Sequence, residues 1–176
     1  MGEHNCLYYH SLEDLYSVAA NFLEDGIKKH MLCLWIIPEE FGVEVAQAAL
    51  KETLKDVDQY VKTGQLEIRE FHDWYVPSGK FDPAEALKAF TQKESQALER
   101  GFSAFRTIGD SSGFLTKDRE KLIAYESSVA KAIAQSKTSA LCTYATEQFS
   151  REEMKTLSKY HDITLSKLHG TLSLFR

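Results

Sequence analysis

Six consecutive apolar residues, Leu32-Cys33-Leu34-Trp35-Ile36-Ile37, run without a polar interruption up to Pro38. A strand with one wet face alternates. A strand that never alternates needs cover on both faces, as a central strand of a parallel sheet packed between helices has. The run falls well short of the ~20 residues that cross a bilayer. The rest of the chain must therefore supply two helical layers.

It does so in strict alternation. Strand-like runs at 6–9, 65–71, 102–108 and 139–144 are separated by stretches with apolar residues every three or four positions, the pattern of a mostly parallel sheet covered on both faces. A first helix is predicted from the N-cap Ser11, with Asp14 at the capping-box position, to about Glu24, and Gly26 is read as its stop. One helix is predicted over 43–63, with Val45, Ala49, Leu50, Leu54, Val57 and Val61 inward. The run 65–71 alternates and belongs near an edge. Residues 72–81 have no period and read as a long loop of the kind that carries function. Asp82-Pro83 opens a helix to about Arg100, another is predicted over 116–135, and Ser150 with Glu153 forms a capping box. Two short runs around His169-Gly170 read as a hairpin or two edge strands.

The fold class is α/β, a three-layer arrangement with helices on both faces of a mostly parallel central sheet and C-terminal strands at one edge. At 176 residues the chain is expected to fold as a single domain, 1–176. The net charge is -5, with lysines and glutamates mixed along the helices, which argues against direct nucleic-acid binding. Met1-Gly2-Glu3-His4-Asn5 has no basic region leading into a long apolar one, so a cytoplasmic protein with no membrane contact is expected. Cys6, Cys33 and Cys142 lie in apolar runs without CxxC or CxxH spacing and read as small buried hydrophobes.

Ligands of open parallel sheets bind beyond the carboxyl ends of the strands. Here those ends supply aromatics (Tyr9, Trp74, Tyr75, Tyr144), imidazoles (His10, His72) and carboxylates (Glu39, Asp73, Asp110), a composition suited to a small organic ligand. The first strand-to-helix turn, Tyr9-His10-Ser11-Leu12-Glu13-Asp14, has no glycine-rich loop and no lysine for phosphate. Arg106 inside an apolar strand needs a partner, either an anionic ligand or a carboxylate, and Glu126 on the inner stripe of a helix is the expected one. His4 and Cys6, two apart on a strand, share a face and could hold a metal with Cys33 or Cys142 as third ligand, the set carried forward being His4, Cys6 and Cys142. GxSxG, HExxH, GxGxxG and the phosphate-loop motif are all absent, so the chain reads as a non-enzyme with no cofactor.

The ordered motifs His4-x-Cys6-x-x-Tyr9, Phe22-Leu23-x-x-Gly26, Gly101, Arg106-x-x-Gly109, Tyr125-Glu126, Ala140-Leu141-Cys142-x-Tyr144 and His161 resemble the methanogen/methylotroph sensory domain, MEDS. The resemblance implies a RecA- or KaiC-like sheet without its phosphate loop. It also implies a sensor of small hydrocarbon derivatives, and ligand-pocket roles for His4, Cys6, Tyr9, Arg106, Glu126, Cys142 and Tyr144. Members commonly follow the arginine motif with an acid, a Met and a Trp, whereas Asp110-Ser111-Ser112-Gly113-Phe114 stands here: the acid is kept and the wall is smaller.

The expected function is thus a non-catalytic small-molecule sensor in signal transduction or transcription control. Its partners would be a small organic ligand and an output domain or protein, a histidine kinase or a DNA-binding regulator, with a homodimer expected by analogy with other sensors. Two alternatives come from other classes. One is a degenerate P-loop ATPase-like protein that binds nucleotide or works through oligomer contacts, and the other is a metal or redox sensor built on His4, Cys6 and Cys142.

Overall fold

The computed structural model describes residues 2–114 and 118–175. Seven strands, β1 (Glu3–Tyr9), β2 (Leu32–Ile36), β3 (Leu66–Arg69), β4 (Phe105–Asp110), β5 (Thr138–Ala145), β6 (Ile163–Leu168) and β7 (Thr171–Leu174), form one sheet. Their order is β3-β2-β4-β5-β1-β6-β7, and every pair is parallel except β6 with β7. The all-apolar strand is interior, the alternating one is an edge, and the C-terminal runs form a hairpin on the opposite edge, as the patterns predict.

Helices α1 (Leu12–Lys28), α2 (Val43–Lys51) and α3 (Val57–Thr63) cover one face, and α4 (Phe71–Tyr75), α5 (Pro83–Glu99), α6 (Arg119–Ile133) and α7 (Arg151–Ser158) the other. Leu7, Tyr9, Cys33, Trp35, Ile37, Ile108 and Leu141 pack with the first group. Their alternates Cys6, Tyr8, Leu34, Ile36, Ala140, Cys142 and Tyr144 pack with the second. Each inner strand therefore deals its side chains to two separate cores.

Several boundaries differ from expectation, each for a local reason. The predicted helix over 43–63 is two helices, because Asp56 turns left-handed at φ 59° and resets the phase so that Leu54 and Val57 both point inward. Val45, expected inward, is 54% exposed. Strand β3 stops at Arg69, and Phe71 begins the short helix α4 inside the predicted loop. Strand β4 lies about two residues later than predicted and carries Gly109 and Asp110 within it. The start predicted for α6 at Thr116 falls outside the described residues.

Gly26 does not stop α1; it sits buried inside the helix. A methyl group there would lie 2.6 Å from Cδ of Arg106 and 2.8 Å from Sγ of Cys33. The glycine is thus what lets α1 lie close on β2 and β4. In an open helix Gly→Ala adds up to about 1 kcal/mol of stability, but overpacking a filled core typically costs about 1–3 kcal/mol. Gly26→Ala is expected to lower the unfolding free energy by about 1 kcal/mol in urea titration, the reverse of the ordinary helix effect.

Candidate functional site

Beyond the carboxyl ends of β1, β2, β4 and β5, on the α1 side, lies a pocket of about 210 Å³. Tyr9, His10, Ser11 and Leu12 form one wall, Pro38, Glu39, Glu40 and Phe41 a second, and Ser112, Gly113, Ala145, Glu147 and Gln148 the rest. Among these residues there is no lysine or arginine, and three are glutamates. Ser11 caps α1 through its hydroxyl, which accepts from the Asp14 amide at 3.2 Å. The first turn of that helix adds Glu13 and Asp14. Its N-terminal partial positive charge is already met by the chain's own carboxylates and is not held open for an anion.

The floor of the pocket is a buried hydrogen-bond knot. Tyr9 donates to Oδ2 of Asp110 at 2.9 Å, Thr143 donates to the same oxygen at 2.8 Å, and the Ser112 amide donates to Oδ1 at 3.0 Å. Asp110 is fully buried, and burial pushes its carboxyl up to about 6, even though the bonds from Thr143, the Ser112 amide and Tyr9 favour the charged form. No cation contributes. The Ser112 hydroxyl accepts from the Ala145 amide at 2.9 Å and ties β5 to the turn after β4.

The opposite face holds a second cluster. Glu126 on α6 is 0% exposed; its Oε1 accepts from Tyr144 at 2.8 Å, and its Oε2 lies 3.3 Å from His4 Nε2 and 3.4 Å from His161 Nε2. Cys142 Sγ is 3.6 Å from the same oxygen and 3.3 Å from His4 Nε2. Burial alone would push the Glu126 carboxyl up, but the hydrogen bonds and charges of His161 and His4 outweigh it and hold the group well below the usual carboxylate range. The Cys142 thiol is raised by burial and by the Glu126 charge. His4, Glu126, Cys142 and His161 present one ligand atom each, all within 4.8 Å of one another. Beside Cys142 is a cavity of about 20 Å³ lined by Trp74, Tyr75, Thr107 and Tyr125, into which Trp74 Nε1 and Thr107 Oγ1 bring no hydrogen-bond partner.

The sequence matches the family model of the MEDS domain, the methanogen/methylotroph, DcmR sensory domain, over residues 3–162. The chain belongs to the MEDS family. Two of the solved structures similar to it are archaeal. The flagellar accessory protein FlaH of Methanocaldococcus jannaschii superposes with a TM-score of 0.65 at 11% identity, over 97% of this chain and 76% of that one. A KaiC-like protein of Pyrococcus horikoshii superposes with a TM-score of 0.64 at 15% identity, over 98% and 74%. At such identities the likeness establishes the RecA/KaiC-like fold alone. No curated protein matches the sequence.

The candidates read from this MEDS sequence therefore divide among three places. Tyr9 and His10 line the strand-end pocket, with Asp110 beneath it. Trp74, Tyr75 and Tyr144 lie on the opposite face, the first two at the small cavity and the third on Glu126. Arg106 is in neither place: it pairs with Asp25, and its guanidinium stacks 4.1 Å from the Phe22 ring. The expected Arg106–Glu126 pair does not form, because Arg106 points to the α1 face and α6 covers the other. Of the expected metal set, His4 and Cys142 lie together and Cys6 lies apart from them. Cys6 turns its thiol to the Thr164 hydroxyl at 3.4 Å, and burial pushes that thiol up to about 12, while Glu126 and His161 join His4 and Cys142. His161 follows the end of α7, where no period marks a functional residue; its one sequence signal is its place in the family motif order.

Asp110 gives a pH signature. Its folded-state pKa of about 6 lies above the ~3.9 of a free aspartate, so the folded protein holds this proton more tightly than the unfolded chain. The stability contribution is full below pH ~3.9 and is lost as pH rises through about 6, a fall of up to about 3 kcal/mol. Urea unfolding between pH 4 and pH 7 should show this slope in the wild type and lack it in Asp110→Asn, which keeps the shape without the charge.

Proposed function

We propose that the chain works as a non-catalytic ligand-sensing domain whose pocket beyond the strand ends takes a small uncharged or cationic organic molecule. The observation that carries this reading is the charge of the pocket. It lies where related folds begin their first crossover helix, yet Glu39, Glu40 and Glu147 surround it and no described lining residue is a lysine or arginine. A triphosphate placed there would meet carboxylates on three sides at a helix N-terminus that its own Ser11, Glu13 and Asp14 already occupy. An amine or hydroxyl group would instead find acceptors, and Leu12, Pro38 and Phe41 supply apolar surface for the rest of the molecule. The MEDS assignment supports the sensory role, and the Tyr9–Asp110–Thr143 knot supports a rigid floor.

Ligand occupancy would be communicated through the segments that form the walls. The turn after β2 is tied to α4 by a contact of 2.9 Å between Oε1 of Glu39 and Nε2 of His72. The Asp14 carboxylate accepts from the Gly170 amide at 2.8 Å, which joins the start of α1 to the C-terminal hairpin. A ligand that engages Glu39 competes with the first contact, and one that shifts the start of α1 moves the second. An output partner, a kinase or a DNA-binding regulator, would read such shifts.

Thermal-shift titrations provide the test. ATP with magnesium is expected to leave the melting temperature unchanged, whereas a screen of short amines, alcohols and other small hydrocarbon derivatives yields saturable stabilisation that a Glu39→Gln, Glu40→Gln double variant weakens at least tenfold. Saturable stabilisation by ATP with magnesium would overturn this reading.

A further inference from the structure

We propose that His4, Glu126, Cys142 and His161 form a four-coordinate binding site for a divalent transition ion of the zinc class, separate from the strand-end pocket and on the other face of the sheet. The donor set alone would be weak support, since buried polar residues often satisfy one another. Three features of the cluster go further.

The first is how the imidazoles are anchored. Nδ1 of His4 lies 2.8 Å from the Tyr160 carbonyl oxygen and Nδ1 of His161 lies 2.8 Å from the Leu157 carbonyl oxygen. A carbonyl only accepts, so both Nδ1 atoms carry protons, and each ring turns its Nε2 inward toward Glu126. Metal-bound histidines are held in this way, with the outer nitrogen anchored and the inner one free to ligate. The His161 side chain is 0% exposed, and its Nε2 lies 3.4 Å from Oε2 of Glu126.

Geometry is the second feature. Two imidazole nitrogens, a carboxylate oxygen and a thiol sulfur converge in a dry space, the ligand types that a zinc-class cation takes. Tetrahedral zinc with bonds of about 2.0–2.1 Å to N and O and about 2.3 Å to S sets its ligand atoms roughly 3.3–3.6 Å apart. Four of the six separations are 3.3 Å (His4 to Cys142), 3.3 Å (His4 to Glu126), 3.4 Å (His161 to Glu126) and 3.6 Å (Cys142 to Glu126), and all four atoms lie within 4.8 Å of one another. The Tyr144 hydroxyl, 2.8 Å from the other oxygen of Glu126, fixes the carboxylate to present a single oxygen.

Charge is the third. On binding, the Cys142 S–H bond breaks, its proton leaves to solvent and the thiolate sulfur binds the ion. A doubly charged cation, one thiolate, one carboxylate and two neutral imidazoles then sum to zero, the condition a fully buried site requires. The mix of imidazole, thiolate and one carboxylate suits zinc-class ions rather than calcium or magnesium, which take oxygen ligands. With every ligand supplied by the protein, the site is closed and structural: it would pin β1, β5, α6 and the segment after α7 together.

The test uses the full chain without a histidine tag, expressed in medium supplemented with zinc chloride or cobalt chloride. Zinc is expected at close to one per chain by elemental analysis. Cobalt-loaded protein should show the intense visible bands of tetrahedral cobalt and a thiolate-to-cobalt charge-transfer band that is lost in Cys142→Ser. In competition with a chelator, Tyr144→Phe should weaken zinc binding by about 10–100-fold, as loss of a ligand-orienting hydrogen bond does. Should Cys142→Ser fail to fold, the wild-type cobalt spectrum decides. Folded wild-type protein with only background zinc and no tetrahedral cobalt bands overturns the proposal, as does metal retention indifferent to both Cys142→Ser and His161→Ala. Neither result touches the strand-end pocket, which shares no residue with this site.

Discussion

Because helices cover both faces of the sheet, each inner strand assigns its residues by parity to one of two sealed compartments, and that assignment decides which groups can meet. Tyr9, Asp110 and Thr143 fall on the α1 side, and they build the floor of the strand-end pocket. His4, Cys142 and Tyr144 fall on the α6 side, where they surround Glu126. The two candidate sites lie within a few residues of each other on the same strands, yet no side chain can serve both. Moving the register of β5 by one residue would exchange Cys142 and Thr143 and dismantle both sites together.

Two of the buried carboxylates, Asp110 and Glu126, are managed oppositely. Asp110 receives three neutral donors and no cation, so burial prevails and its pKa rises to about 6. Glu126 receives a tyrosine hydroxyl and faces two imidazoles, whose combined effect exceeds the burial penalty. The first arrangement makes a rigid floor whose charge changes near pH 6, whereas the second gathers a carboxylate, two imidazoles and a thiol in a dry space. Sequence position does not distinguish them: each acid lies in an apolar stretch, and the difference comes entirely from what the opposing elements deliver.

Much of the fold was legible. The unbroken Leu32–Ile37 run, the alternation near Ile68, the capping box at Ser150 and the terminal runs around Gly170 each carry their own local signal, and the sheet follows from them. What was not legible depended on contacts between distant segments. Gly26 reads as a stop because a glycine after an amphipathic stretch usually is one; only the approach of Arg106 and Cys33 gives it another purpose. Arg106 was assigned to Glu126 because both need partners, and parity sent them to opposite faces. The strand-end segments around Tyr9, Glu39 and Glu147 were identified by the rule for open sheets, but Trp74 and Tyr75 coil back in a short helix that no periodicity marks. His161 joins the acid through a chain reversal after α7, which leaves no trace in the local sequence.

The strand order has one more consequence, for how the molecule comes into being. Both hydrogen-bonding neighbours of β1, β5 and β6, begin only at Thr138 and Ile163. After Tyr9 is polymerised, Thr138 follows only on the order of 10 s later at translation rates of roughly 5–20 residues per second. Throughout that interval Asn5-Cys6-Leu7-Tyr8-Tyr9, an aromatic-rich strand with both edges bare, has no native partner, while β2 can already pair with β3 and then β4. β1 therefore cannot complete its pairing until β5 and β6 have been made, whereas β2, β3 and β4 can pair with one another earlier.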